Sequence, residues 1–194
     1  NFFLSRYEAP LPTSPACNAS CVGCISYQKP KRCLATQPRI KFIPTPEEIK
    51  EIAVFHISRV KNSIVSFGQG CEGEPLLAGE TIEQAIKLIR RETSQGVIHI
   101  NTNASKPKVL SRLFDAGLNS MRVSANSVQP EYYGRYYKPK GYLFRDVLRS
   151  IEIARARGIF VSLNYLTMPG FTDSRQEFAA LNIFLKKYKI NMIQ

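Results

Sequence analysis

Three cysteines, Cys17, Cys21 and Cys24, fall within the stretch PACNASCVGCISYQ (15–28), with no fourth at a matching interval. Thiolates at that density hold zinc, iron–sulfur clusters or other soft metals. A structural zinc site closes with four ligands, and Cys33, in the basic segment KPKRCLATQ, is the candidate for the fourth. An iron–sulfur cluster takes a cysteine on each bonded iron, so three cysteines leave one iron open to something else. Pro15 before the run and Gly23 inside it predict a loop rather than a helix.

The chain has 194 residues, enough to bury one proper core, and with 44% hydrophobic and 22% charged residues it reads as globular. No apolar run approaches the roughly 18 residues of a membrane helix, and NFFL lacks the n- and h-regions of a signal peptide. Five cysteines, three of them clustered, do not resemble a secreted disulfide framework; a reducing, cytoplasmic setting is expected. The opening at Asn1 and the end at INMIQ, inside a strand pattern, read as a fragment that ends at the sixth strand. Such an end leaves an apolar edge exposed.

The elements that must position the cysteines alternate in type. SIVSFG (63–68), GVIHINTN (96–103), SMRVSAN (120–126), FVSLNYLT (160–167) and KINMIQ (189–194) are short, β-branched and aromatic, and a first strand lies within NFFLSRYEAPLPTS (1–14). Five helices separate the strands. TPEEIKEIAVFHISRV opens with Thr45 as N-cap, Pro46 at the first position and Glu48 completing a capping box. Thr81 and Gln84 repeat the relation in TIEQAIKLIRRETSQG, whose Ile82, Ala85, Ile86 and Ile89 form an apolar stripe. Gly117 and Gly158 end the next two helices in left-handed caps, and the last starts behind Asp173. Strand and helix in turn mean parallel strands with right-handed crossovers, either an open doubly wound sheet or a partial β/α barrel.

Polar residues inside parallel strands are costly unless they serve a site. Here they gather at carboxyl ends: GQGCEGEP after the second strand, Asn101, Thr102 and Asn103 on the third, Ser124 and Asn126 on the fourth, Asn164 and Thr167 on the fifth. Ligand sites of α/β folds form at that end, and the three cysteines follow the first strand to the same mouth.

These motifs carry a resemblance. CNASCVGC has the CxxxCxxC spacing of the radical S-adenosylmethionine (radical SAM) superfamily. CEGEP (71–75) resembles that family's GGEP motif and NTNAS its TNG signature, and RVSANS and LNYLTMPGFTD resemble its fourth and fifth strands. The resemblance implies one core domain over 1–194, an α/β partial (β/α)6 barrel of the TIM type. It implies a [4Fe–4S] cluster with Cys17, Cys21 and Cys24 on three irons and S-adenosylmethionine (AdoMet) on the fourth. Reductive cleavage would then give a 5′-deoxyadenosyl radical that takes hydrogen from an unknown second substrate, with an electron donor protein as partner. Gly73 and Glu74 would meet the methionine amino group. Ser124 and Asn126 would face the ribose or carboxylate, with Arg122 beside them, and Asn103 and Asn164 would line the cavity. Three positions depart from the family pattern: Gly23 where an aromatic residue precedes the third cysteine, Glu72 for the first glycine of GGEP, and Ala104 for the glycine of TNG. Tyr27 is then the candidate for packing adenine.

Two other classes compete. A non-catalytic zinc module would use the three cysteines with Cys33. A nucleic-acid binder would use the formal net charge of +12 and the segment YYGRYYKPKGY (132–142), where tyrosines alternate with Arg135, Lys138 and Lys140. Tyrosines at that density more often plug the edge of a core. His56 and His99 read as packed histidines, and Cys71 as a buried thiol at the mouth.

Overall fold

The computed structural model describes residues 3–27 and 35–194; Cys33, and with it the fourth ligand of the zinc reading, lies outside the described residues. Six strands form one parallel sheet in chain order: β1 (Glu8–Pro10), β2 (Ile64–Phe67), β3 (Val97–Thr102), β4 (Ser120–Ala125), β5 (Phe160–Tyr165) and β6 (Met192–Ile193). The helices are α1 (Pro46–Arg59), α2 (Gly79–Glu92), α3 (Pro107–Ala116), α4 (Pro130–Tyr137), α5 (Phe144–Ala156) and α6 (Arg175–Tyr188). Strands joined by helices in unbroken order, with β1 and β6 as the two edges, make a partial (β/α)6 barrel. An open doubly wound sheet would instead reverse its strand order partway.

Local chemistry accounts for most boundaries. Thr45 and Glu48 form the capping box of α1, Glu48 N–H donating to Thr45 Oγ1 at 3.2 Å and Thr45 N–H to Glu48 Oε2 at 2.8 Å. Gly117 and Gly158 both have positive φ behind their helices. Three expectations need correction. Thr81 does not cap α2: a 3₁₀ turn, Pro75–Ala78, runs straight into the helix at Gly79 and leaves Thr81 inside its first turn. The cap of α6 is Ser174 rather than Asp173, its hydroxyl accepting from Glu177 N–H. A sixth helix, α4, occupies the tyrosine-rich segment.

One face of the sheet, carrying Ala9, Val65, Phe67, Ile98, Ile100, Met121, Val123, Val161 and Leu163, is buried in a single core with the apolar stripes of the helices. That core includes Ile82, Ala85, Ile86 and Ile89 of α2, as their spacing predicts. Side chains alternate along a strand, so the residues between them point to the opposite, concave face. That face carries Ser66, His99, Asn101, Ser120, Arg122, Ser124, Ser162 and Asn164, which the register sets side by side. At the far edge Met192 and Ile193 are exposed, as expected of an apolar edge.

Candidate functional site

The carboxyl ends of all strands open to one mouth, and the segment after β1 brings the cysteines there. Leu11 N–H extends the ladder by donating to Ser66 O at 2.8 Å, and the chain then turns across the end of β2. Glu72 holds that turn. Its carboxylate is 3% exposed and accepts from the N–H groups of Thr13 (2.9 Å), Ser14 (2.8 Å) and Gly68 (2.5 Å). Two backbone bonds add to it, Gly73 N–H to Ser14 O at 2.6 Å and Glu74 N–H to Ala16 O at 2.8 Å. The residue that departs from the family pattern at 72 is thus the clamp that fixes the base of the cysteine loop.

Gly73 is required, and the structure supplies the reason. A Cβ there would stand 1.9 Å from Ala16 O and 2.5 Å from Ala16 C, so the close approach is made by the cysteine loop's own backbone. Glu74, 4% exposed, caps the 3₁₀ turn through Leu76 N–H at 3.2 Å. It also accepts from Thr102 Oγ1 and from Asn103 N–H, the latter at 2.8 Å. Burial pushes its carboxyl up to about 7 against these donors. Three of roughly four acceptor positions are filled, which leaves one on Oε2 for a ligand.

The other side of the loop is tied to the end of β3 and to the end of α4. Asn103 Nδ2 donates to Asn18 Oδ1 at 2.8 Å, and Asn18 Nδ2 donates to Ser105 Oγ at 2.9 Å, joining CNASC to NTNAS directly. Ala104, where the family pattern has glycine, sits at φ +55, a left-handed conformation that costs a non-glycine residue about 1–2 kcal/mol. Ser150 Oγ, donating to Ala104 O at 2.7 Å, helps hold it there. The peptide groups at the end of α4 complete the brace: Ser20 N–H donates to Tyr137 O at 2.9 Å and Val22 N–H to Tyr136 O at 3.0 Å. Tyr133, Tyr137 and Tyr142 are buried, and Tyr133 stacks on Tyr137, so these rings plug the core and are not a platform for bases.

Cys17, Cys21 and Cys24 are all half-buried. Burial raises the thiols of Cys17 and Cys21, and that of Cys21 is pushed up to about 12 with the charges of Cys17 and Cys24 adding to burial. Cys24 goes the other way. Burial raises it, but hydrogen bonds from Ser26 and Arg39 outweigh that, with Arg39 Nη2 3.7 Å from Sγ. Among the described residues no three Cys, His, Asp or Glu side chains converge on a single metal ion. Cys71 is half-buried, and burial raises its thiol.

Of the other expected contacts, Asn126 is buried at the end of β4, its Nδ2 donating to Tyr132 O at 3.3 Å while its Oδ1 has no partner. Ser124 and Asn164 are paired in register on the concave face, Ser124 half-buried and Asn164 exposed. Arg122 lies one row deeper and donates to Asn101 Oδ1 at 3.0 Å. Tyr27 is exposed with the Arg39 guanidinium 5.3 Å from its ring centroid. The ring against Gly23 is that of Tyr136, whose hydroxyl lies 2.7 Å from where a Cβ would stand. The sequence reading missed Asn18, Arg39, Glu72 and Tyr136. Asn18, inside the cysteine motif, and Glu72, at a departure from the family pattern, offered a signal.

A family profile described as the radical SAM superfamily matches residues 11–181. The FeMo cofactor biosynthesis protein NifB of Klebsiella pneumoniae is 26% identical over 182 residues, covering 84% of this chain and 38% of that protein. A GTP 3′,8-cyclase of Sulfurovum sp. is 30% identical over 103 residues, covering 53% of this chain and 31% of that one. Among solved structures, SuiB of Streptococcus suis bound to S-adenosylmethionine superposes with a TM-score of 0.72 at 14% identity, covering 96% of this chain and 39% of SuiB. The chain thus spans less than two fifths of the length of each of these relatives.

Proposed function

This chain belongs to the radical SAM superfamily, and from that premise we propose that it is the catalytic core, residues 1–194, of an enzyme that cleaves AdoMet reductively. Members of the superfamily use a [4Fe–4S] cluster and AdoMet. The observation that carries the reading is the cysteine loop docked by Glu72 and Gly73 onto the end of β2, at the mouth where Glu74, Asn103, Ser124 and Asn126 also end. Cys17, Cys21 and Cys24 would hold three irons of the cluster. Held there, the cluster would supply the electron for reductive cleavage of AdoMet, and the resulting radical would take hydrogen from a second substrate.

The chain's own residues orient and shield. Glu74 keeps one acceptor position on Oε2 for the methionine ammonium, whose positive charge would favour the ionised form of this carboxyl. Asn126 Oδ1, buried without a partner, is an acceptor for a ribose hydroxyl. Ser124, Asn103 and Asn164 line the rest of the cavity, and Arg122 stands beneath as the nearest cation of the sheet. The electron comes from a donor protein. The free thiols of Cys17, Cys21 and Cys71 suit a reducing compartment, the cytoplasm; among the described residues no helix is long and apolar enough to cross a membrane.

The test is anaerobic reconstitution with iron and sulfide, reduction with AdoMet present, and assay for 5′-deoxyadenosine. About four irons per chain and 5′-deoxyadenosine are expected, with both lost in Cys21→Ala. Zinc bound in place of a cluster, or a cluster that survives Cys21→Ala unchanged, refutes the assignment.

A further inference from the structure

Beneath the mouth, the concave face of the sheet has a chemistry that the cysteine loop does not explain. Parallel strands covered on both faces are ordinarily apolar throughout. Here β2 to β5 alternate: Ser66, His99, Asn101, Ser120, Arg122 and Ser162 point inward between apolar neighbours. Some of this polarity is satisfied internally. Glu8 Oε1 accepts from Ser66 Oγ and from Gln69 Nε2, both at 2.6 Å, and His99 Nδ1 pairs with Ser120 Oγ at 2.8 Å.

The remainder is not. His99 Nε2, Arg122 Nε and Ser162 Oγ are buried and have no partner. His99 is 5% exposed and Ser162 1%. Arg122 and Ser162 are register partners on β4 and β5, and His99 is paired with Ser120, two residues below Arg122. Arg122 also has no ion-pair partner among the described residues: the one side chain it reaches is the neutral Asn101. A half-buried guanidinium with a free N–H, beside an unpaired hydroxyl and an unpaired imidazole nitrogen, is a set of donors waiting for an anion.

We propose that Arg122, Ser162 and His99 form an anion subsite in the floor of the barrel, and that the second substrate carries a carboxylate or phosphate that binds there. The identity of the anion's carrier rests on the reading of the mouth as the AdoMet site; the subsite itself does not. An anion held by Arg122 fixes one end of the substrate a row below Ser124 and leaves its other end directed at the mouth. Arg122 Nε–H and Ser162 Oγ–H donate to the anion, and His99 is neutral, burial and the Arg122 charge pushing its pKa down to about 4, so that it donates only as the Nε2–H tautomer.

The probes are inorganic phosphate and acetate, titrated against chloride at constant ionic strength while thermal unfolding of the full chain is followed. Either anion should raise the melting temperature saturably, and Arg122→Gln should weaken the half-saturation at least about tenfold, the loss expected of a charge-assisted hydrogen bond. Ser162→Ala gives a second reading that survives a misfolded Arg122 variant. It should raise the melting temperature without anion, because a buried hydroxyl with no partner is removed, and reduce the rise that anion produces. The phosphate titration is then repeated on anaerobically reconstituted protein with saturating AdoMet, where no competition is expected. Equal stabilisation of wild type and both variants means an adventitious ion only. Failure of both anions to stabilise means that water alone fills the floor. Displacement of phosphate by AdoMet means that the anion is AdoMet's own carboxylate. Each of these three results overturns the proposal. Phosphate binding in the cluster-free chain is independent of iron, so failure of the cleavage assay and failure of this subsite are read separately.

Discussion

Gly73→Ala separates two reasons for one glycine. If the glycine serves to let AdoMet approach the backbone, the substitution weakens AdoMet and spares the cluster. The structure predicts the reverse order of damage. The added Cβ would meet Ala16 O at 1.9 Å, and real Cβ contacts essentially never fall under 3.0 Å, so the two segments must part by about 1.1 Å. No side chain can rotate away, because both obstructing atoms are backbone. The movement breaks or stretches Gly73 N–H to Ser14 O and Glu74 N–H to Ala16 O, at about 1 kcal/mol each. Overpacking adds about 1–3 kcal/mol, for a total of about 3–5 kcal/mol. Because Ala16 adjoins Cys17, the first of the three proposed ligands moves with it. Urea unfolding of the cluster-free chain and iron per chain after reconstitution measure the two effects, and Gly73→Ala should lose most of its iron before any AdoMet is added. A variant that unfolds within about 0.5 kcal/mol of wild type, carries full iron and binds AdoMet poorly would refute the reasoning.

Glu72→Ala leaves three backbone N–H groups, two of them buried, without their acceptor and should cost about 3–5 kcal/mol in urea unfolding, with Glu72→Gln milder because its amide oxygen still accepts. Glu74 sets a pH dependence: its folded pKa, about 7, lies above the ordinary carboxyl value of 4.5, so the folded state binds the extra proton between them. Its contribution to stability is therefore full below about pH 4.5 and is lost as pH rises through 7, by about 3 kcal/mol in all. Glu74→Gln should flatten that part of the stability–pH curve, and an unchanged slope would show that another group titrates.

What was legible in the sequence was what short-range chemistry decides. Period-2 and period-3.6 patterns gave the strands and the helical stripes, and the Thr45–Glu48 box and the glycines at 117 and 158 gave their ends. The carboxyl-end clustering of Asn103, Ser124 and Asn126 announced the mouth, because polar atoms in buried strands demand a use. Thr81 was misread because Pro75 starts a 3₁₀ turn whose run into α2 no cap residue marks. The inward row of Ser66, His99, Arg122 and Ser162 was present in the alternation as well. Only the register between strands shows that these residues are neighbours rather than four separate polar interruptions.

By itself, then, the sequence determined the chain's α/β order and the three-cysteine motif with its family, since these depend on residue type and spacing along the chain. The tertiary structure alone decided that Glu72 clamps the cysteine loop, that Ala16 is what demands a glycine at 73, and that Arg122 lies in the barrel floor without a counter-charge. Each of these is a contact between residues 20 or more positions apart, and such contacts exist only once parallel pairing has set which strand lies beside which.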